Sequence, residues 1–314
     1  MSANGRYVAI LPSGSEFGEL IKVGASETQG RVRFPFRSGA VLRSVSADGR
    51  WVLGHDMIGN MLVADTQSQR VETHPLGAAE DFENPWTFGP QGDRFVTIVR
   101  TSDKGVGIMT VWEAETLQSV GSTEVPLDSI EVVWGVALSP DGAWVAAALG
   151  GDFQGPRGGA NFLIWNPAAR KMKVIPTGHP PELFACTFLP DGKTLVVADR
   201  EGNIDLFSLE QWPPRRIRSM LVDQTDFWGI ACSADGKRLY AHSTADLYVL
   251  STYSGRLLGT FNGIPSSRFG YGFAVHPDGS RVVQLNRGNL QIWHAPSWAE
   301  IEAAENARMS LDKP

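Results

Sequence analysis

The sequence is poor in several features that define large classes of proteins. Two cysteines among 314 residues cannot form the disulfide framework of a secreted domain, and they indicate a reducing compartment. The longest apolar run, from Trp144 to Leu149, is far shorter than the ~20 residues that a membrane-spanning helix needs. The first residues lack the basic start and the long apolar stretch of a signal peptide. We therefore expect a soluble, cytoplasmic protein.

An excess of positive charge and the common catalytic motifs are also lacking. The chain has 28 basic and 34 acidic residues, and this net charge of −6 argues against non-specific electrostatic binding of nucleic acid. The sequence contains no Gly-x-Ser-x-Gly elbow, no phosphate-binding loop of the Gly-x(4)-Gly-Lys type, no His-Glu-x-x-His and no Cys-x-x-Cys. The six histidines are scattered without metal-ligand spacing. From these absences we expect no metal and no cofactor.

What the sequence does have is an internal repeat that spans nearly all of its length. A turn signal such as Asp-Gly, followed by a β-rich run, recurs in SADGRWVLG, SPDGAWVAA, LPDGKTLVV, SADGKRLYA and HPDGSRVVQ, with weaker copies in ANGRYVAI and GPQGDRFVT. The turn glycines are separated by 43 to 50 residues and lie at Gly5, Gly49, Gly92, Gly142, Gly192, Gly236 and Gly279. A period of this length with several short strands per copy is typical of a propeller blade.

Each repeat is predicted to contain four strands. In the clearest copy these are Leu183 to Leu189, Thr194 to Asp199, Ile204 to Leu209 and Arg215 to Val222, with turn residues between them. The fold predicted for residues 1–296 is therefore all-β, a propeller of four-stranded antiparallel blades. Residues 297–314 differ, because Ser297 and Glu300 form a capping box that predicts a short C-terminal helix.

One repeat resembles a known family along its whole length. The segment from Gly178 to Glu210 resembles a WD40 repeat, with its Gly-His pair, its Pro-Asp-Gly turn and an aromatic residue, Phe207, where the family has Trp-Asp. The resemblance covers essentially the entire chain and implies a scaffold or sensor subunit. Only one copy has the Gly-His pair and no copy ends in Trp-Asp. The His–Asp–Ser/Thr–Trp network of the family is therefore expected to be mostly absent.

The sequence is compatible with two numbers of blades. Seven turn signals favour seven blades, with an incomplete blade at each end of the chain. The alternative is six blades, in which Arg31 to Arg37 supplies the outer strand of the last one and Arg6 to Val23 forms an extra hairpin. In both cases the ends of the chain must meet, because an open ring would leave a strand edge unpaired. We prefer seven.

The first strands of the repeats are the place to look for a metal in a propeller. In the middle of WGVALSP, FACTFLP, WGIACSA and YGFAVHP small and large residues alternate, as Gly272 and Ala274 do with Phe273 and Val275. Neither of these two mid-strand sets contains a carboxylate or a histidine. Alternation is predicted to direct one set toward the channel and the other between neighbouring blades. A metal held by mid-channel side chains would have no ligands there. We therefore expect a protein that is not an enzyme.

The same strands open with aromatic residues that suggest a binding surface. Trp134, Phe184, Trp228 and Tyr271 share one position, six residues before the Pro or Ala of the turn. Charged residues just upstream complete the predicted site: Glu131, Glu182, Asp226 and Arg268. Aromatic anchors surrounded by polar groups are typical of binding hot spots, although large residues at strand entries also pack between blades.

From these residues we predict a non-catalytic interaction module that binds a protein or peptide on its loop-rich face. Its partner would carry basic side chains, and the chain would work within a larger complex, with neither nucleic acid nor membrane as a partner. Two alternatives stay open at this point. One is a propeller hydrolase resembling the lactonases, which would need a metal, and the other is a carbohydrate-binding lectin that uses the aromatic residues.

Overall fold

The chain folds into a seven-bladed β-propeller of antiparallel sheets. A computed structural model describes residues 1–294 except positions 3, 13, 24–29, 37–38, 77–78, 82–84, 102–105, 127–130, 152–160, 180–182, 223–225, 263–272, 277–280 and 287–288. These described residues contain strands and turns but no α-helix, and therefore no helix that could cross a membrane. The helix predicted from Ser297 onward lies outside the described residues.

Each blade is an antiparallel meander, and in all blades but the third every strand pairs with the next one along the chain. The bounds of the strands in blades 1 to 3 are β1 Tyr7–Ile10, β2 Phe17–Lys22 and β3 Arg31–Pro35; β4 Val41–Val45, β5 Trp51–His55, β6 Asn60–Asp65 and β7 Arg70–Pro75; β8 Ala79–Asp81, β9 Thr87–Phe88, β10 Arg94–Thr101, β11 Val106–Glu113 and β12 Ser119–Pro126. In blade 3, β8 and β9 both pair with β10, so that the innermost strand of this blade is divided into two short pieces.

Blades 4 to 7 complete the ring. Their strands are β13 Glu131–Leu138, β14 Val145–Gly151, β15 Asn161–Asn166 and β16 Lys171–Pro176; β17 Leu183–Phe188, β18 Thr194–Asp199, β19 Asn203–Ser208 and β20 Arg215–Leu221; β21 Gly229–Cys232, β22 Arg238–His242, β23 Leu247–Ser251 and β24 Leu257–Phe261; β25 Phe273–Val275, β26 Arg281–Asn286 and β27 Asn289–His294. Among the described residues, blades 1 and 7 each have three strands. The prediction of seven blades is therefore confirmed.

The predicted turns are present because glycine accepts a backbone conformation that other residues avoid. Six of the seven turn glycines have φ between +63° and +81°, and the seventh, Gly279, lies outside the described residues. In three of these turns the aspartate before the glycine accepts a hydrogen bond from the serine two residues earlier, as Asp48 does from Ser46 at 2.6 Å. The same carboxylate accepts the N–H of the residue after the glycine. Local sequence alone therefore fixes these reversals.

The hydrophobic core is divided into seven clusters, one between each pair of neighbouring blades. Strand β18 shows why: Leu195 and Val197 pack on blade 4, whereas Val196 and Ala198 pack on blade 6. Successive side chains of a strand point to opposite faces of its sheet. Because each sheet stands between two others, both faces are buried and most of the strand is apolar.

This arrangement corrects the prediction that one alternating set of the first strands faces the channel. Leu138 packs in the cluster between blades 3 and 4, and its neighbour Ala137 packs against the cluster between blades 4 and 5. Likewise Cys186 and Ala185 face opposite neighbours. The prediction was wrong because a radial sheet has a blade on each side, so the channel sees chiefly the edge of the innermost strand.

Contacts between the two ends of the described chain close the ring. A Cβ on Gly5 would lie 3.4 Å from the Cβ of Ala274 in blade 7. Val8 and Val23 of blade 1 pack in one buried cluster with Val283 of blade 7. On its other side blade 1 packs on blade 2 through a larger apolar cluster. Blade 1 is thus a full member of the ring, and the six-blade alternative is wrong.

Candidate functional site

Two of the predicted aromatic residues lie at β-bulges in the innermost strands. In blade 4 the pairing of β13 with β14 shifts between Val133 and Gly135, which leaves Trp134 out of the ladder. In blade 5 the pairing of β17 with β18 shifts between Leu183 and Ala185, which leaves Phe184 out. A bulge bends the strand and redirects the side chain of the extra residue. This is how side chains of the innermost strands reach the end of the channel.

The third aromatic residue, Trp228, lies directly before the innermost strand of blade 6. Its N–H donates to the carbonyl of His242 at 2.8 Å, which fixes its backbone beside the end of β22. The three rings meet: Phe184 stacks on Trp228 with ring centroids 4.5 Å apart, and Trp134 contacts Phe184 edge to face at 5.1 Å. We call this group of Trp134, Phe184 and Trp228 the aromatic cap.

The aromatic cap joins side chains from three blades at one end of the propeller. The centroids of Trp134 and Trp228 are only 6.5 Å apart, although their strands belong to blades 4 and 6, which are not neighbours. The rings therefore extend over the mouth of the channel. In a four-stranded meander this end also carries the connections from the second to the third strand and from each blade to the next, so the cap lies on the loop-rich face.

Burial differs among the members of the aromatic cap. Phe184 is 2% exposed and is a core residue that supports its neighbours. Trp134 and Trp228 are half-buried, so part of each indole faces solvent. The core-packing interpretation therefore applies to Phe184, and the exposure needed for a binding surface is found at Trp134 and Trp228.

The charged residues of the predicted site are only partly described. Asp226 is half-exposed, and its carboxylate lies 3.6 Å from Nε of Arg200, which comes from the turn between β18 and β19. Glu131 begins β13 opposite Gly151, but its side chain lies outside the described part of the chain. Three further predicted residues lie outside it entirely: Glu182, Arg268 and Tyr271. The structure therefore brings together Trp134, Phe184 and Trp228, with Asp226 two residues before Trp228.

Sequence reasoning missed two buried histidines near this face. His55 and His242 end the second strands of blades 2 and 6, each at the same register opposite the first strand. His55 contacts the ring of Trp86 at 5.5 Å and its Nδ1 lies 3.1 Å from the carbonyl of Asp56. Burial lowers the pKa of both side chains, that of His242 to about 4. Their shared position in the repeat, at the end of the second strand and directly before the turn to the third strand, is the sequence signal that could have identified both histidines.

The buried His242 makes the stability of the fold depend on pH. In the unfolded chain it takes up a proton near its ordinary pKa of 6.5, whereas in the folded chain it stays neutral down to about pH 4. The unfolded state therefore binds more protons between these values, and the free energy of unfolding falls as the pH falls. Lowering the pH from 7 to 5 is expected to remove about 2 kcal/mol through this residue.

Urea unfolding at pH 7 and pH 5 measures this contribution. The variant His242→Gln should show a difference between the two pH values that is smaller than in the wild type by about 2 kcal/mol. His74→Gln, on the outer strand β7 against Trp112, is the matched control for the exchange of an imidazole for an amide outside the core. An equal pH difference in wild type and His242→Gln would contradict the assignment.

A second buried polar group lies in blade 5, away from the aromatic cap. The carboxylate of Asp205 is 3.3 Å from Nε2 of His179 and 3.3 Å from Nε of Arg216, and it accepts a hydrogen bond of 2.5 Å from Ser219. The sequence predicted that such networks are mostly absent, and this blade, the one with the Gly-His pair, contains one. The contacts join Asp205 on β19 to Arg216 and Ser219 on the neighbouring strand β20, which indicates a structural role for this network.

Both cysteines lie in blade interfaces, where Cys186 is buried and Cys232 is half-buried. Burial raises the pKa of Cys186 to about 12 and that of Cys232 to about 11. Both thiols are free, and each lies within hydrogen-bond distance of a carbonyl in the preceding blade. Thiols with such high pKa values are poor nucleophiles. Within the described part of the chain, no group of three or more His, Cys, Asp or Glu side chains could hold a metal ion.

Comparison with known proteins identifies the fold. No protein-family model matches the sequence, and no curated protein sequence does. Among solved structures, a chain of hydrazine synthase from Kuenenia stuttgartiensis is similar, with a TM-score of 0.66, 15% sequence identity and 94% of each chain covered. The TM-score shows that the two chains share the propeller fold. An identity as low as 15% carries no information about the chemistry of this chain.

Proposed function

We propose that the chain is a non-catalytic interaction module of the WD40-like kind, which binds a protein or peptide through the aromatic cap. The observation that carries the proposal is the contact of Trp134 and Trp228 across Phe184. This contact supports two half-buried indoles from different blades on one buried ring. Large, rigid side chains in such a position lose little conformational entropy on binding, and they are enriched at binding hot spots.

The charges beside the cap support a partner with basic side chains. The pair of Asp226 and Arg200 is open to solvent on both sides, and such exposed pairs contribute little to stability. A lysine or arginine of the partner can therefore replace Arg200 as the counter-ion of Asp226. If this is so, Arg200→Ala should tighten binding and Asp226→Asn should weaken it. A cytoplasmic location and membership of a larger complex belong to the same proposal, and the two free thiols support the former.

The proposal is also consistent with a divergent WD40 repeat. Blade 5 combines the Gly-His pair with a carboxylate, Asp205, that contacts His179 and Ser219. In blade 3 the indole of Trp112 donates to the hydroxyl of Thr97 at 2.8 Å. These are fragments of the network that the resemblance implies, distributed over different blades.

Alanine substitution of the two half-buried indoles tests the proposal. The double variant Trp134→Ala/Trp228→Ala should weaken binding of the purified partner at least about tenfold, since hot-spot aromatics each contribute ~1–2 kcal/mol or more. The partner is obtained by affinity capture from the native host and then measured as a purified protein by calorimetry. The core ring of Phe184 is retained, so the variant should stay folded.

Trp212→Ala is the matched control. Trp212 is also partly exposed and also stacks on another tryptophan, Trp144, with centroids 5.7 Å apart, but it lies on the opposite face of the propeller. Its loss should leave the affinity unchanged. Equal affinities of wild type and the double variant, with both folded, would show that the cap does not bind the partner.

A further inference from the structure

The strand β16, Lys171–Pro176, forms the outer edge of blade 4. In the described part of the chain it pairs only with β15, so no strand uses the backbone N–H and C=O groups on its outer side. All six residues of β16 pair with β15 in an unbroken register. A regular edge of this kind is a template on which a further strand can pair.

The other outer strands are less suited to such pairing. A bulge interrupts the ladder of β12, β20 and β24, and bulges are one means by which proteins protect sheet edges. Strands β3 and β7 pair without a shift, but both arginines of β3 lie within 4 Å of Glu19, and β7 carries residues of both charges. Among the described outer strands, β16 alone combines an unbroken ladder with charges of one sign that have no ion-pair partner.

The two faces of β16 differ in their chemistry. The ammonium group of Lys171 lies over the ring of Trp212 in blade 5, 5.7 Å from its centroid, and Lys173 points to the same side because successive residues of a strand alternate. On the opposite side, Sδ of Met172 accepts a hydrogen bond of 3.4 Å from the hydroxyl of Thr123 in blade 3. The strand therefore presents lysines toward blade 5 and apolar side chains toward blade 3.

Both sets of side chains are open to solvent. Lys171 and Lys173 are exposed, and neither forms an ion pair within the part of the chain that the structure describes. Met172 is 41% exposed and Val174 is 37% exposed. Cationic and apolar side chains thus alternate along one open edge, and both kinds can still gain from a partner.

We propose that an extended segment of a protein partner adds to β16 as a fifth strand of blade 4, with acidic side chains beside Lys171 and Lys173 and apolar side chains beside Met172 and Val174. Opposite charges on facing residues of neighbouring strands attract, and like charges repel. The lysines therefore favour an acidic segment and disfavour a basic one, which makes the edge selective. This edge is separate from the aromatic cap, so the inference goes beyond the proposed function and does not rest on it.

A protein strand matches this edge better than other anions do. A nucleic acid or an anionic membrane could approach the two lysines, but neither offers a row of N–H and C=O groups to pair with those of β16. The net charge of −6 also repels a large polyanion. A segment of alternating acidic and apolar residues complements the charges, the apolar side chains and the backbone of the edge together.

Two synthetic peptides of opposite charge test the inference. One is acetyl-Gly-Glu-Val-Glu-Val-Glu-Gly-amide, and the other has lysine in place of each glutamate. The variant Lys171→Glu/Lys173→Glu reverses the charge of the edge at two exposed positions, so it should fold as the wild type does. Arg31→Glu/Arg33→Glu is the matched control, because it changes the net charge by the same amount and at the same spacing on the outer strand β3. Fluorescence anisotropy of the labelled peptides gives the affinities.

The wild type should bind the glutamate peptide at least about tenfold more tightly than the lysine peptide, and the β16 variant should reverse this preference. The β3 variant should keep the preference of the wild type. Bound glutamate peptide should also slow the hydrogen exchange of the N–H groups on the outer side of β16. A contact made through charges alone would not slow it.

Three results would overturn the inference. The first is a wild type that does not bind the glutamate peptide, including one that instead binds polythymidine or phosphatidylserine vesicles through the two lysines. The second is an equal preference in the wild type and the β16 variant, and the third is binding without slower exchange in β16. The cap variant Trp134→Ala/Trp228→Ala should bind the peptide as the wild type does, so the two proposals are tested separately.

Discussion

Replacing Asp205 by alanine is expected to lower the free energy of unfolding by about 2 kcal/mol. The carboxylate is 1% exposed and has three partners, His179, Arg216 and Ser219. Its loss leaves the hydroxyl of Ser219 without its acceptor and removes the carboxylate from beside His179 and Arg216. Because one buried carboxylate contacts three side chains, its removal ends all of these contacts at once, and the effect exceeds that of an ordinary surface change.

The ion pair of Asp226 and Arg200 provides the control for this prediction. Its nitrogen and oxygen are 3.6 Å apart, close to the distance in the Asp205 network, but both side chains are more than one third exposed. Asp226→Ala should therefore change stability by less than about 1 kcal/mol. Chemical unfolding of both variants measures the contrast, and equal losses would mean that Asp205 is better solvated than its burial indicates.

Phe184→Ala is expected to cost about 3 kcal/mol of unfolding free energy, because it removes a buried ring from between two indoles. The remaining cavity would lie under the aromatic cap, so Trp134 and Trp228 would lose their shared support. We therefore expect weaker binding of the partner as well, at a temperature where the variant is still folded.

Phe17→Ala separates this effect from the general loss of a phenyl ring. Phe17 lies in β2 of blade 1 and is half-exposed, so alanine there should cost less than about 1 kcal/mol. Thermal and urea unfolding of the two variants give the comparison. A similar small loss at position 184 would mean that the cap can close over the cavity.

The seven blades could be predicted from the sequence because their signals are local. A turn such as that of Asp48 and Gly49 needs a side-chain acceptor and a residue with positive φ, and both are visible as letters. The strands are likewise recognisable as short apolar runs between turns. The seven turn glycines favour seven units over six, and the packing of blade 1 between blades 7 and 2 decides between these numbers.

The site was harder to predict because it depends on what lies opposite each residue. The alternation of residues along β17 shows that the strand has two faces, but it does not show that each face packs on a neighbouring blade. For this reason the assignment of one face to the channel was wrong. The bulges that redirect Trp134 and Phe184 have no signature in the sequence, since the extra residue is defined only by pairing with the next strand. Partners distant in sequence, such as His179 and Asp205, are invisible for the same reason.

The central claim is that the half-buried indoles of the aromatic cap bind the partner, and the indole N–H signals of the ten tryptophans test it directly. In ¹⁵N-labelled protein titrated with the purified partner, the signals of Trp134 and Trp228, assigned with the single alanine variants, should shift or broaden. The signal of Trp212 on the opposite face should stay in place. Saturated binding that shifts Trp212 but neither Trp134 nor Trp228 would contradict the account.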